Sequence, residues 1–272
     1  MKKLSRRVAR TVTAISLLAL AGTFTALSAS AQTSGTAQQG KPTIVLVHGA
    51  FAESSSWDGV IRKLEAKHYP VIAAANPLRG VKSDAAQVAS VVDAVKGPVV
   101  LVGHSYGGSV ISSAATGKGN VKALVFVAAF APEAGESAAD LAGKFPGSTL
   151  GPALAPPVAL ADGGKDLYIL KNRFHDQFAA DVPAAAARLM AATQRPIAEA
   201  ALGEPAGEPA WKTVPSWFVY GDGDKNIPPA AQAFMAERAK SVKTVVVKGA
   251  SHVVMTSRPD AVANLIAEAA NR

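Results

Sequence analysis

Cysteine is absent from all 272 residues, which excludes disulfides, a thiolate nucleophile and thiolate-bound metals. No cluster of His, Asp and Glu has the spacing of a metal site, and no glycine-rich loop fits a phosphate or a dinucleotide. The sequence therefore calls for neither metal nor other cofactor. No basic stretch is interleaved with aromatics, so nucleic acid is not an expected partner. Internal repeats are also missing. The one extended apolar run, residues 12–27, is short for a membrane span and diluted by Thr, Ser and Gly.

That run sits in an export signal. Lys2, Lys3, Arg6, Arg7 and Arg10 precede it without an acid, and Ala29-Ser30-Ala31 closes it with a small-residue cleavage pattern. Residues 1–31 are read as a removed signal peptide, which implies a secreted or periplasmic protein with no stable membrane insertion. Ser5-Arg6-Arg7 partly matches a twin-arginine signal, although Ala9 and Arg10 depart from its usual continuation. The formal net charge of +8 falls to +3 once the five cations of this segment are set aside. Residues 32–41 are small and polar, a flexible leader. Residues 42–272 suffice for one sizeable domain.

Strand and helix signals alternate along that domain. Runs at 43–47, 71–75, 99–102, 121–128, 216–220 and 242–247 predict six strands, the β-branched first run being long enough for a buried one. Helical spacing falls at 54–67, where Trp57, Val60, Ile61 and Leu64 share a face, and at 230–240 and 260–270. Ser83 is placed as the cap of a helix whose inner face is Val88, Val91, Val92 and Val95. The rhythm breaks at about 132–212, a stretch rich in Ala, Pro and Gly with no clear strand. Helix is expected there at 166–178 and 183–201. This stretch reads as a cap inserted between regular units. Alternation predicts a parallel sheet covered on both faces, with ligands bound beyond the carboxyl ends of its strands.

Chemistry-bearing residues fall at that edge. Gly103-His104-Ser105-Tyr106-Gly107-Gly108 follows the third strand and opens a small-residue helix. A serine on so sharp a turn is exposed and held still, and Gly103 and Gly107 let the chain close around it. Among five histidines, His252 follows the last strand and is the candidate base. His48 precedes a strand-end glycine, His68 lies at a helix end, His104 diverges from its neighbour Ser105, and His175 sits in the cap. Asp224 and Asp222 compete to orient His252, with Asp224 favoured and Glu133 a third candidate. Asp222-x-Asp224-x-Asn226 begins like a calcium loop, but Ile227 replaces the required glycine and Ala233 the terminal glutamate.

Taken together, His48-Gly49-Ala50, the Ser105 turn, Gly221-x-x-Asp224-x-x-x-Pro228 and Gly249-Ala250-Ser251-His252 resemble an α/β-hydrolase-fold serine hydrolase, with Ser, Asp and His in that family's order. The loop from His48 to Trp57 is similar to the branch containing methylesterases and hydroxynitrile lyases, among exported bacterial esterase-like members. The resemblance implies a three-layer α/β-hydrolase fold with a small inserted helical cap. It implies a catalytic triad of Ser105, Asp224 and His252. The oxyanion hole would be the backbone N–H of Ala50 and Tyr106, with Phe51 a lesser candidate. The family's two usual opening strands have no counterpart before residue 43, so the sheet is expected to be trimmed to six.

The expected activity is hydrolysis of carboxylic esters of small apolar molecules through an acyl-enzyme. One alternative is a hydroxynitrile-lyase-like or C–C-cleaving enzyme on the same triad, whose family members often carry a cap lysine; Lys165 and Lys171 are the candidates. Another is a non-catalytic binding protein on a hydrolase scaffold. Phe51, Trp57 and Phe130 are expected to line the substrate site, with Arg79 and Trp211 as further candidates. No motif indicates an oligomeric state.

Overall fold

Buried parallel strands need apolar residues on both faces, and the β-branched runs supply them. The computed structural model describes residues 40–272; the export signal read at 1–31 and most of the leader lie outside the described residues. The first unit runs β1 (Thr43–Val47), a 3₁₀ turn (Ser54–Trp57), α1 (Asp58–Glu65), β2 (Val71–Ala74) and α2 (Val81–Ala94). β3 (Val99–His104), α3 (Tyr106–Ala114) and β4 (Val121–Val127) follow. Ile44 to Val47 and Val99 to Val102 are fully buried, each side chain contributing about 1.5–3 kcal/mol by its removal from water.

The inserted region holds α4 (Ala138–Lys144), α5 (Leu150–Ala153), β5 (Val158–Ala159), β6 (Lys165–Leu167), α6 (Lys171–Phe178), α7 (Ala184–Thr193), β7 (Ile197–Ala198) and α8 (Glu199–Gly203). The regular rhythm then resumes with β8 (Ser216–Gly221), α9 (Pro229–Arg238), β9 (Lys243–Val247), α10 (Val254–Ser257) and α11 (Pro259–Ala270).

Among the described residues the main sheet has six parallel strands in the order β2-β1-β3-β4-β8-β9, the number expected. α1 and α11 pack together on one face, and α2 and α3 together on the other. The chain reverses direction across the sheet between β1 and β3, which opens a crevice beyond their carboxyl ends.

Four local expectations fail. The cap is not purely helical: β5, β6 and β7 form a three-stranded antiparallel sheet. Strands of two or three residues leave no alternation to read. Asp166 and Leu167, expected to begin a helix, pair with Ala198 and Ile197 instead. The helix expected over 183–201 stops at Thr193. Pro196 disfavours helical geometry at Arg195, and the Gln194 side chain is drawn to the Ile169 backbone, accepting from its N–H and donating to its carbonyl. Ser83 is not the cap of α2: the helix begins at Val81, and the Ser83 hydroxyl donates to the Gly80 carbonyl.

Candidate active site

Ser105 stands between β3 and α3 with φ 55° and ψ −125°, a strained backbone for a residue with a side chain, costing about 1–3 kcal/mol. The surroundings hold it there. Its N–H donates to the Val127 carbonyl at 3.3 Å, and its carbonyl accepts from Gly108 and Phe130. The turn closes only without side chains beside it. A Cβ on Gly103 would lie 2.5 Å from the Gly107 carbonyl oxygen, and one on Gly107 would lie 2.6 Å from that of Val47.

His252 and Asp224 meet from separate loops. Nδ1 of His252 lies 2.7 Å from Oδ2 of Asp224, and both side chains are essentially buried. Asp224 is thoroughly hydrogen-bonded: the amides of Asn226 and Ile227 donate to Oδ1, and Gln232 Nε2 donates to Oδ2 at 2.9 Å. A carboxylate so fixed stays an acceptor and leaves Nε2 of His252 as the free ring nitrogen. The competitors lie elsewhere. Asp222 is exposed and accepts from the Gly249 amide, a turn-closing role. Glu133 pairs with Lys212, and this contact is the largest cause holding its carboxyl below the usual range. Among the described residues, no group of three or more His, Cys, Asp or Glu side chains could hold a metal.

Two further histidines are buried around the site. Asn76 N–H donates to His48 Nε2 at 3.2 Å, so the His48 proton sits on Nδ1, 3.0 Å from the Gly49 carbonyl. His104 lies under His252. Its Nε2 donates to the His252 backbone carbonyl at 3.2 Å, and the two rings are 4.8 Å apart. Burial first, then the neighbouring His252, holds His104 well below the ordinary histidine range. Burial is also the largest cause lowering His48. Both are structural, neutral imidazoles.

Two amides are left for an oxyanion. Among the described residues neither Ala50 nor Tyr106 has an acceptor for its backbone N–H. Gly49 brings the two loops together, since a Cβ on it would meet Ser105 Cβ at 2.6 Å and Tyr106 N at 3.1 Å. Phe51 drops out as a donor because its N–H is engaged by the Arg195 carbonyl at 2.9 Å. The Tyr106 ring is anchored by its hydroxyl, which donates to buried Asp84 at 3.0 Å. Burial, followed by the Asp84 charge, pushes this phenol far up, so it remains protonated.

Ser105 and His252 open into one cavity of about 70 Å³. Phe51 and Phe130 line it, as the sequence suggested. Ala138, Ala139, Ala142, Leu150, Phe178, Leu202 and Ile227 complete an almost wholly apolar wall, with Asn226 at its edge. The sequence assigned none of these seven to the site, although Ala138 and Ala142 share a helix face by spacing. Trp57 is a correction. It is fully buried behind the site, edge-on to His104 with centroids 6.4 Å apart, because it ends the 3₁₀ turn facing the core. Arg79 is tied to Asp166 and the Pro196 carbonyl, and Trp211 donates to the Pro132 carbonyl. Arg79 fastens the cap to the body, and Trp211 joins the two ends of the cap. Lys165 pairs with Glu199, and neither it nor Lys171 lines the cavity.

A sequence profile described as the Alpha/beta hydrolase family matches residues 44–265. The alpha/beta hydrolase nvfD of Aspergillus novofumigatus is 26% identical over 250 residues, covering 85% of this chain and 97% of that protein. Among solved structures, a polyneuridine aldehyde esterase superposes with a TM-score of 0.73 at 19% identity, covering 84% of this chain and 98% of its own. A pyrethroid hydrolase from Sphingobium faniae JZ-2 gives 0.67 at 22% identity, covering 85% and 97%.

Proposed function

Because the chain belongs to the alpha/beta hydrolase family, we propose that it is a serine hydrolase cleaving carboxylic esters through a Ser105, His252 and Asp224 triad. The observation that carries this reading is a shared cavity. Ser105 and His252 line the same small apolar space, and the unpaired amides of Ala50 and Tyr106 lie beside the serine.

In this reading His252 Nε2 takes the Ser105 proton as Oγ attacks the ester carbonyl. Negative charge develops on the carbonyl oxygen and is stabilised by the two amides, at the positive end of α3. His252 then protonates the departing alcohol, leaving an acyl-enzyme. Water, deprotonated by the same imidazole, attacks that carbonyl, and the collapse returns the proton to Ser105 and releases the acid. Asp224 holds the tautomer and stabilises the transient imidazolium. The cavity walls carry no charge other than what His252 acquires, so they favour uncharged apolar groups. Since about 150 Å³ suffices for a benzene-sized guest, a cavity half that size suits a short chain. Export of the mature domain after cleavage at Ala31 is part of the proposal, and N-terminal sequencing of the secreted form tests it.

Hydrolysis of p-nitrophenyl acetate, butyrate and octanoate by the wild type and Ser105→Ala tests the reading. Activity abolished by the substitution supports it. Equal rates in both proteins, or none in either, would overturn it. The latter result would turn attention to a binding role.

A further inference from the structure

The cap is fastened to three of the four loops that bear the candidate machinery: those of Ala50, Asp224 and His252. The Arg195 carbonyl accepts from Phe51 N–H at 2.9 Å, and the Arg195 guanidinium reaches Glu53 at 3.0 Å. Gln177 Nε2 donates to the Lys225 carbonyl at 2.9 Å, beside Asp224, and its own carbonyl accepts from Asn226 Nδ2 at 3.1 Å. Phe178 sets its ring edge-on to His252, with centroids 5.1 Å apart. Asp181 grips the histidine loop: its Oδ1 accepts from the Ser251 amide at 3.0 Å and the Ser251 hydroxyl at 2.5 Å, and Arg258 Nη1 lies 3.2 Å from Oδ2.

We infer that Asp181, a cap residue, is a positioning residue for His252, acting through Ser251. The argument is geometric. His252 must keep one nitrogen on Asp224 and the other toward Ser105, so its backbone cannot rotate. Two restraints on His252 come from the hydrolase body: the Asp224 contact holds its ring, and the donation from His104 Nε2 holds its backbone carbonyl. Ser251, immediately before it, is buried, and its amide and hydroxyl both converge on one carboxylate oxygen. Arg258, just before α11, faces the other oxygen of that carboxylate as an ion pair at 3.2 Å, without a hydrogen bond. Burial pushes the Asp181 carboxyl up, but its hydrogen bonds and the Arg258 cation outweigh this and hold it below the usual range. It therefore remains a charged acceptor near neutrality, and charge-assisted bonds are the strong ones. The cap is thus part of the catalytic frame. A cap so placed cannot lift at this corner without loosening the histidine.

The inference rests on the triad proposed above, and its test separates the two. Asp181→Ala removes the acceptor, while Asp181→Asn keeps a carbonyl oxygen for Ser251. Ser251→Ala removes only the hydroxyl contact and serves if Asp181→Ala does not fold. The readouts are kcat and KM on a short p-nitrophenyl ester, and the low-field proton resonance of the His252 Nδ1–H donating to Asp224. Asp181→Ala is expected to lower kcat about 10- to 100-fold with KM within about threefold, because small misplacements of a reacting group are that costly. Its low-field resonance should broaden or vanish while circular dichroism stays native, and Asp181→Asn should recover most of both. Ser251→Ala should fall between them. Wild-type kcat and an unchanged resonance in folded Asp181→Ala, or in Ser251→Ala if that variant alone folds, would overturn the inference. A resonance that responds to Asp181 in a protein without ester activity would overturn the esterase reading and leave Asp181 as the histidine's positioner.

Discussion

The imidazole of His104 lies beneath that of His252 at 4.8 Å and donates to its backbone carbonyl at 3.2 Å. The residue before the candidate nucleophile therefore holds the candidate base. The proposed mechanism requires a neutral His104, since a second cation under His252 would oppose the imidazolium that mechanism forms.

Stability should respond to pH for the same reason. His104 and His48 are depressed in the folded state, so below their unfolded pKa of about 6.5 the unfolded chain binds protons that the native state refuses. Their stabilisation is fully present above that value and is lost as pH falls toward their folded values. Each histidine can contribute a slope of up to about 1.4 kcal/mol per pH unit in that window. Urea midpoints should fall from pH 7.5 to 5.5 in the wild type. The fall should be shallower in His104→Asn, with His48 supplying the remainder. Parallel slopes in both proteins would remove His104 from this account.

Substrate size should be set by the cavity wall. Leu202 lines the cavity yet is only partly buried, so shortening it opens space at modest cost to the core. Leu202→Ala should move the preferred acyl chain toward greater length, raising the octanoate-to-butyrate ratio of kcat/KM several-fold, since each added methylene is worth about 0.8 kcal/mol when buried. An unchanged ratio would mean that the acyl chain lies elsewhere.

Gln232 tests the support of the acid. Its Nε2 donates to the same Asp224 oxygen that faces His252, and to the Ile227 carbonyl. Gln232→Met preserves length and removes the donor. Leaving a buried charged acceptor partly unsatisfied costs about 1–3 kcal/mol. The expected result is a roughly tenfold lower kcat with KM little changed. A rise in KM alone would assign Gln232 to substrate binding.

The sheet and the loops that carry the candidate triad were legible because both are local signals in a fixed order. Five-residue β-branched runs mark Thr43–Val47 and Lys243–Val247 to within a residue, and Ser105, Asp224 and His252 each stand in a loop just past a strand. The cap was not legible. Two-residue strands such as Val158–Ala159 carry no periodicity, and Asp166 belongs to a strand because Val158 on one side and Ala198, 32 positions later, on the other pair with it. Trp57 shows the other limit: helical spacing gave its face correctly but could not tell a cavity wall from the core behind it. Gln232 and Asp181 act through contacts across 8 and 70 positions, which no local pattern encodes.

The central claim is that Ser105 is a nucleophile activated by His252. The most direct measurement is labelling of the wild type, Ser105→Ala and His252→Ala with an uncharged, short-chain p-nitrophenyl phosphonate, followed by peptide mass mapping. The account predicts one adduct per chain, on the peptide containing Ser105, absent in Ser105→Ala and slowed by orders of magnitude in His252→Ala. No adduct in the wild type, or labelling at an unchanged rate without His252, would contradict it.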